Sequence, residues 1–215
     1  MRSSAAAPLV TLVAAVFLIT SPASAQDPPP PIGRFAVDIR GSFPGFPGGA
    51  ALAESRGMAE SELPGRGPGV EIGAHVYPLH WKAMTIGLGG QLLLARAASN
   101  AVASAGVRGA TATLASFSPQ LSFNFGNGDG WSYVSGGIGA TTWSLVPDGA
   151  MPLAIDETRL QTVNYGGGAR WFAKPHVAFT FDVRFYDITS GVAGAGYRAH
   201  PRTRLIVMGG GVSFK

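Results

Sequence analysis

From Ala178 to Ile188 the chain alternates without a break. Phe179, Phe181, Val183 and Phe185 fall on one face, and Thr180, Asp182, Arg184 and Tyr186 on the other. A period of two is the mark of a strand with two unlike faces. In a soluble sheet the phenylalanines would form the core. In a membrane barrel they would meet lipid, and the charges would point into the lumen.

The same pattern predicts eight strands: Arg34–Gly41, Gly69–Tyr77, Ala83–Ala95, Ala112–Phe125, Trp131–Ser144, Arg159–Phe172, Val177–Ile188 and Thr203–Lys215. Most exceed the roughly 9–11 residues that a tilted strand needs to cross a bilayer. Their connections alternate in length. Ser42–Pro68, Arg96–Thr111, Leu145–Thr158 and Thr189–Arg202 are long, while Pro78–Lys82, Gly126–Gly130 and Ala173–His176 are short. The short ones carry the Gly, Asn, Asp and Pro of tight hairpins. One end of the sheet therefore holds every large loop, as in barrels with short periplasmic turns and long external loops.

Charge decides which face looks inward. Strands three to five, over the ranges given, contain no Asp, Glu, Lys or Arg. Their polar face is Thr85, Gly87, Gly89 and Gln91, then Ser116, Ser118, Gln120, Ser122 and Asn124, which suits a narrow wet interior. The opposite face carries Met84, Ile86, Leu88, Leu92 and Leu94, then Phe117, Leu121, Phe123 and Phe125, for which lipid is a fitting solvent. Phe179 and its neighbours are thus expected to face the membrane. Tyr77, Trp81, Phe123, Phe125, Trp131, Tyr133, Trp171, Phe172 and Phe179 gather near the short turns, as an interfacial girdle would. Two positions strain the pattern. Strand five has Trp131, Tyr133 and Trp143 on one parity but Val134 and Ile138 on the other, which a bulge would reconcile. Pro119 cannot donate to a ladder, so an irregular pair or bulge is expected there.

The N-terminus adds a route. Met1-Arg2, an apolar run from Ala5 to Ile19 and Ala23-Ser24-Ala25 read as a secretory signal peptide over residues 1–25, with an uncleaved anchor as the alternative. Residues 26–32 form a Pro-rich lead-in, and 33–215 one barrel domain. With no cysteine there is neither a lipoprotein anchor nor a disulfide framework. Charged residues make up 13% of the chain, against roughly 25% in ordinary soluble domains. The small basic excess is scattered, without the stripe that nucleic acid would require.

Three segments resemble the OmpA/OmpX-like outer-membrane β-barrel superfamily. They are "SPQLSFNFGNGDGWSYVSGGIGA" (Ser118–Ala140), "VNYGGGARWFAKPHVAFTFDVRFYDI" (Val163–Ile188) and "MGGGVSFK" (Met208–Lys215). The resemblance covers Gly33 to Lys215. It implies an all-β, eight-stranded antiparallel up-and-down transmembrane barrel in the bacterial outer membrane, surrounded by outer-membrane lipid. Family members commonly end on an aromatic residue read by the barrel-assembly machinery. Phe214, followed by Lys215, is the matching position. The chain is expected to end with the barrel, without an appended peptidoglycan-binding domain.

Six charges fall mid-strand on the inferred lumen face: Asp38, Arg40, Glu71, Arg170, Asp182 and Arg184. Unpaired charge in so tight a space is costly, so a paired network is expected. Arg170 and Asp182, on one hairpin, should face each other directly or diagonally. Gly166 and Gly168 leave room beside Arg184 and Tyr186. The network is either a static filling of the lumen or a gate. Eight strands enclose a space that side chains mostly fill, which argues against a wide pore. His75 lies beside Glu71 by parity and with a lumen serine could imitate a hydrolase constellation. His80 and His176 fall in turns and His200 in a loop. No metal-ligand spacing appears, and the two Gly-Gly-Gly runs lie inside strands rather than in phosphate-binding turns. Ser42–Pro68 reads as a solvated loop, which a protease added to intact cells should nick before any of the short turns, and a candidate contact for an external ligand. The leading expectation is a structural or surface-interaction barrel without catalysis or cofactor. A narrow ion or small-solute channel is the alternative, followed by a lipid-modifying barrel enzyme. A soluble ligand-binding barrel is the architectural rival.

Overall fold

The computed structural model describes residues 29–194 and 197–215. The expected signal peptide and the start of the expected lead-in lie outside the described residues. Eight antiparallel strands close into a barrel in chain order. They are β1 (Phe35–Gly45), β2 (Gly69–Trp81), β3 (Met84–Ser99), β4 (Ala110–Asn127), β5 (Gly130–Pro147), β6 (Arg159–Lys174), β7 (Val177–Ile188) and β8 (Thr203–Phe214). The seam is made by β1 on β8, where Val37 pairs with Phe214 and Ile39 with Val212. Closure leaves no sheet edge, so backbone donors and acceptors are satisfied between neighbouring strands.

Alternation holds around the whole wall. On β7 Thr180, Asp182, Arg184 and Tyr186 are buried, while Phe179 and Phe181 stand 66% and 48% exposed. Ile39, Ile72, Leu88, Phe117, Leu121, Ile138, Val163 and Ile206 extend this outward apolar belt. Strand β5 needs no bulge. Trp131, Tyr133 and Trp143 all point inward, and Val134 and Ile138 outward. The large aromatics of β5 pack the two ends of the lumen, which is why their parity looked inverted from sequence. The girdle is correspondingly thinner than expected. Trp81, Phe125, Trp171 and Phe179 face outward, but Tyr77 is interior with Trp131 and Tyr133, and Phe172 packs against them. At Pro119 the ladder to β5 is interrupted, yet register is the same on either side, from Phe117↔Ala140 to Gln120↔Gly137. True register shifts occur instead between Val76 and Leu79, at Pro78, and between Phe172 and Lys174.

The short connections shrink to two-residue turns at Lys82–Ala83, Gly128–Asp129 and Pro175–His176. His80 therefore lies on β2 rather than in a turn. The four long loops gather at the opposite end. The first does not behave as a solvated loop. Its short helix α1 (Ala50–Ser55) turns into the mouth of the barrel. Phe46, Leu52, Ala53 and Met58 join a buried cluster with Leu93, Leu114, Trp143, Leu145, Leu160 and Leu205. Apolar side chains line that end of the lumen, and burying them against the loop removes both surfaces from water.

Candidate functional site

The lumen is stratified. Next to the short turns lie Ile32, Ala36, Tyr77, Trp131 and Tyr133. Ile32 belongs to the lead-in, which is held there because Gly128 N–H donates to the Pro30 carbonyl at 2.6 Å. Lys215 Nζ also donates to the Gly128 carbonyl and sits 3.9 Å from the Phe172 ring centroid. The N- and C-terminal ends of the barrel thus meet one turn.

Above this aromatic floor come the six predicted charges, each no more than 2% exposed. Arg170 grips Asp38 with two bonds, Nε to Oδ1 at 2.8 Å and Nη2 to Oδ2 at 2.5 Å. Bidentate geometry of this kind suits a planar guanidinium and a carboxylate. Arg40 lies 3.3 Å from Asp38 and donates to Glu71 at 3.1 Å. Arg184 donates to Asp182 at 3.1 and 3.2 Å and to Ser135 at 2.8 Å. Arg170 and Asp182 stand diagonally on their hairpin, as expected, but no ion pair joins them. Register sets Asp182 opposite Gly168 and Arg170 opposite Thr180, and Arg170 reaches across the lumen to β1 instead.

Tyr133 joins the two halves of this network, and sequence reasoning left it out because the phase of β5 was ambiguous. Its hydroxyl donates to Asp182 at 2.7 Å and accepts from Arg40 at 3.3 Å. Its ring lies 4.2 Å beneath the Arg170 guanidinium. Gly168 is the residue that admits it, since a Cβ there would meet the Tyr133 hydroxyl at 2.7 Å. Gly209 similarly leaves space for the Glu71 carboxylate.

An amide layer follows. Gln91 donates to Glu71 at 2.9 Å, and Gln120 donates to Gln91 at 3.1 Å and to Asn164 at 3.2 Å. A hydroxyl layer lies above, with Thr162 donating to Thr141 and Thr141 to Ser116, both at 2.8 Å. The folded loop covers everything. Three ion pairs tie it to the other loops. Arg56 donates to Asp156 at 3.1 Å within a buried pair, Arg108 clasps Glu62 at 3.1 Å, and Arg198 meets Glu54. Asp156 also accepts from the backbone N–H of Leu145 and Leu153. Arg108 holds the Glu62 carboxyl well below the usual carboxylate range, at about 2. Burial against Trp143 keeps His200 below the ordinary imidazole range.

The hydrolase-like constellation is not assembled. Glu71 is committed to Arg40 and Gln91, and neither ring nitrogen of His75 has a hydrogen-bond partner. Among the described residues no three metal-ligating side chains converge.

The crystal structure of Neisserial surface protein A superposes with a TM-score of 0.51 at 13% identity, covering 84% of this chain and 96% of that one. The fold is that of a small outer-membrane β-barrel. Outer membrane protein AlkL, solved by solid-state NMR in lipid bilayers, gives a TM-score of 0.45 at 15% identity, covering 91% of this barrel's chain and 96% of its own. No family model and no curated protein matches the chain.

Proposed function

We propose that the chain is a bacterial outer-membrane barrel with a structural or surface-interaction role, not a pore and not an enzyme. The observation that carries this reading is the filling of the lumen from end to end. Aromatics, paired charges, amides, hydroxyls and a folded loop occupy successive layers. Three buried arginines bonded to three carboxylates leave no free charge to draw an ion inward, and opening the layer would strand them at a cost of several kcal/mol. The external face supports surface interaction. Its four loops are tied into one platform, from which Val102, Met151 and Val192 project at 47%, 85% and 80% exposure. On this reading Phe214, outward-facing at the β1–β8 seam, serves the assembly machinery. An external ligand would meet the platform rather than the lumen. Purified barrel reconstituted in a planar bilayer should be electrically silent. Steady, resolved openings would assign the protein to the channel alternative.

A further inference from the structure

The lipid-facing wall is not uniform. Two grooves of about 490 Å³ each open on it and share Ala115 and Thr142. Together they form one furrow across β3, β4, β5 and β6, on the half of the wall nearer the long loops. Its floor is made of small outward residues, Thr113, Ala115, Ala140 and Thr142, between the larger Leu94 and Phe117. The floor dips because these side chains are short where the rest of the belt carries Leu, Ile and Phe.

Two arginines flank it. Arg96 projects outward near the end of β3, and Arg159 opens β6 beside Thr142. Neither has an ion-pair partner among the described residues. Arg204, Arg108 and Arg198 at this end are neutralised by Asp187, Glu62 and Glu54, and Arg66 and Arg202, which also lack an ion pair among the described residues, lie in loops and do not line the furrow. Arg96 and Arg159 are separated by three interstrand steps, roughly 14 Å along the wall.

We propose that this furrow is a binding site for a diphosphorylated glycolipid of the external leaflet, with an acyl chain on the Ala115–Ala140 floor and one phosphate at each arginine. The inference rests on the outer-membrane reading above. Charge complementarity decides the occupant. Unpaired guanidinium groups at the border of an apolar belt require anions, and phosphate accepts from the planar guanidinium in paired bonds. A single phosphate cannot meet both arginines across the furrow, whereas a head group bearing two can. A second copy of the barrel would bring its own arginines against these and repel.

The test is native mass spectrometry of the folded, detergent-solubilised barrel titrated with diphosphorylated lipid A, phosphatidylglycerol or phosphatidylcholine. Lipid A should be retained most tightly and phosphatidylcholine least. Arg96→Gln and Arg159→Gln should each weaken lipid A retention roughly fivefold and the double variant roughly thirtyfold, the equivalent of about 1 kcal/mol per arginine at an anionic lipid surface. Arg202→Gln, in a loop away from the furrow, should change nothing. Ala115→Leu, which fills the floor, should weaken retention without touching either charge. The site is overturned if the double variant matches wild type, if Arg202→Gln weakens retention equally, or if phosphatidylglycerol binds as tightly as lipid A. Failure of the membrane reading itself would look different, since the wild-type barrel would then not insert into vesicles of any of the three lipids.

Discussion

Asp38 is the residue on which the charge layer turns, because it accepts from Arg170 with both oxygens and lies beside Arg40. Asp38→Ala should destabilise the barrel by about 3–5 kcal/mol, the usual cost of stranding a buried charge. Adding Arg170→Ala should recover part of that loss, giving a coupling well above that of the pair Asp182 and Arg170, which share no direct contact. Urea-dependent folding into lipid vesicles measures both cycles, and additive effects for Asp38 and Arg170 would dissolve the pair. On the other face of the wall, Phe181→Arg should cost roughly 2–4 kcal/mol by the same measurement, because Phe181 projects from the apolar belt. A neutral outcome would place that face in water.

At the scale of elements, the first long loop is a plug rather than a tether. Trypsin added to intact cells should cut first in the fourth loop, where Arg198 and Arg202 are exposed, and only slowly at the buried Arg56. Asp156→Ala, which leaves Arg56 without its carboxylate but keeps the cleavage site, should reverse that order. Early cleavage at Arg56 in the wild type would mean the loop stands open. Acid should release the loop's tie to Arg108 late. The Glu62 carboxyl titrates at about 2 when folded, against an ordinary value of 4.5. A depressed folded value means that this tie contributes fully above pH 4.5, weakens as the pH falls, and is lost near 2. Pepsin should therefore spare the loop at pH 4 and attack it near pH 2, and equal cleavage at both would remove Glu62 from the account.

For the molecule as a whole, the plug is one of several closures. Gly45 bridges Arg66, and Phe46 N–H donates to the Gly65 carbonyl at 2.8 Å, so a short Gly-Asn turn can replace Phe46–Gly65 without moving β1 or β2. That variant should fold and remain silent in a planar bilayer, because the charge and amide layers still fill the waist. Steady conductance from it alone would locate a gate in the plug.

Alternation, loop lengths and the charge-free stretches Ala83–Ala95, Ala112–Phe125 and Trp131–Ser144 were enough to read eight strands, their order and their inward face. Each follows from local rules: a period of two, tight-turn chemistry, and the cost of charge against lipid. The six lumenal charges were legible for the same reason, since parity alone puts a residue inside. Their partners were not. Whether Arg170 meets Asp182 or Asp38 depends on closure, which brings β6 opposite β1 across the lumen, 132 positions away in sequence. Tyr133 was hidden because its parity conflicts with its hydrophobicity until the lumen is seen to need an aromatic floor. The plug was hidden too. The Gly, Pro and Ala of its loop read as solvent-exposed in isolation, and only the apolar end of a closed barrel supplies the surface on which Phe46, Leu52 and Met58 are buried. Sequence determined which side of the wall each residue faces, and tertiary structure decided what it meets there, because contacts across a barrel join strands that no local pattern relates.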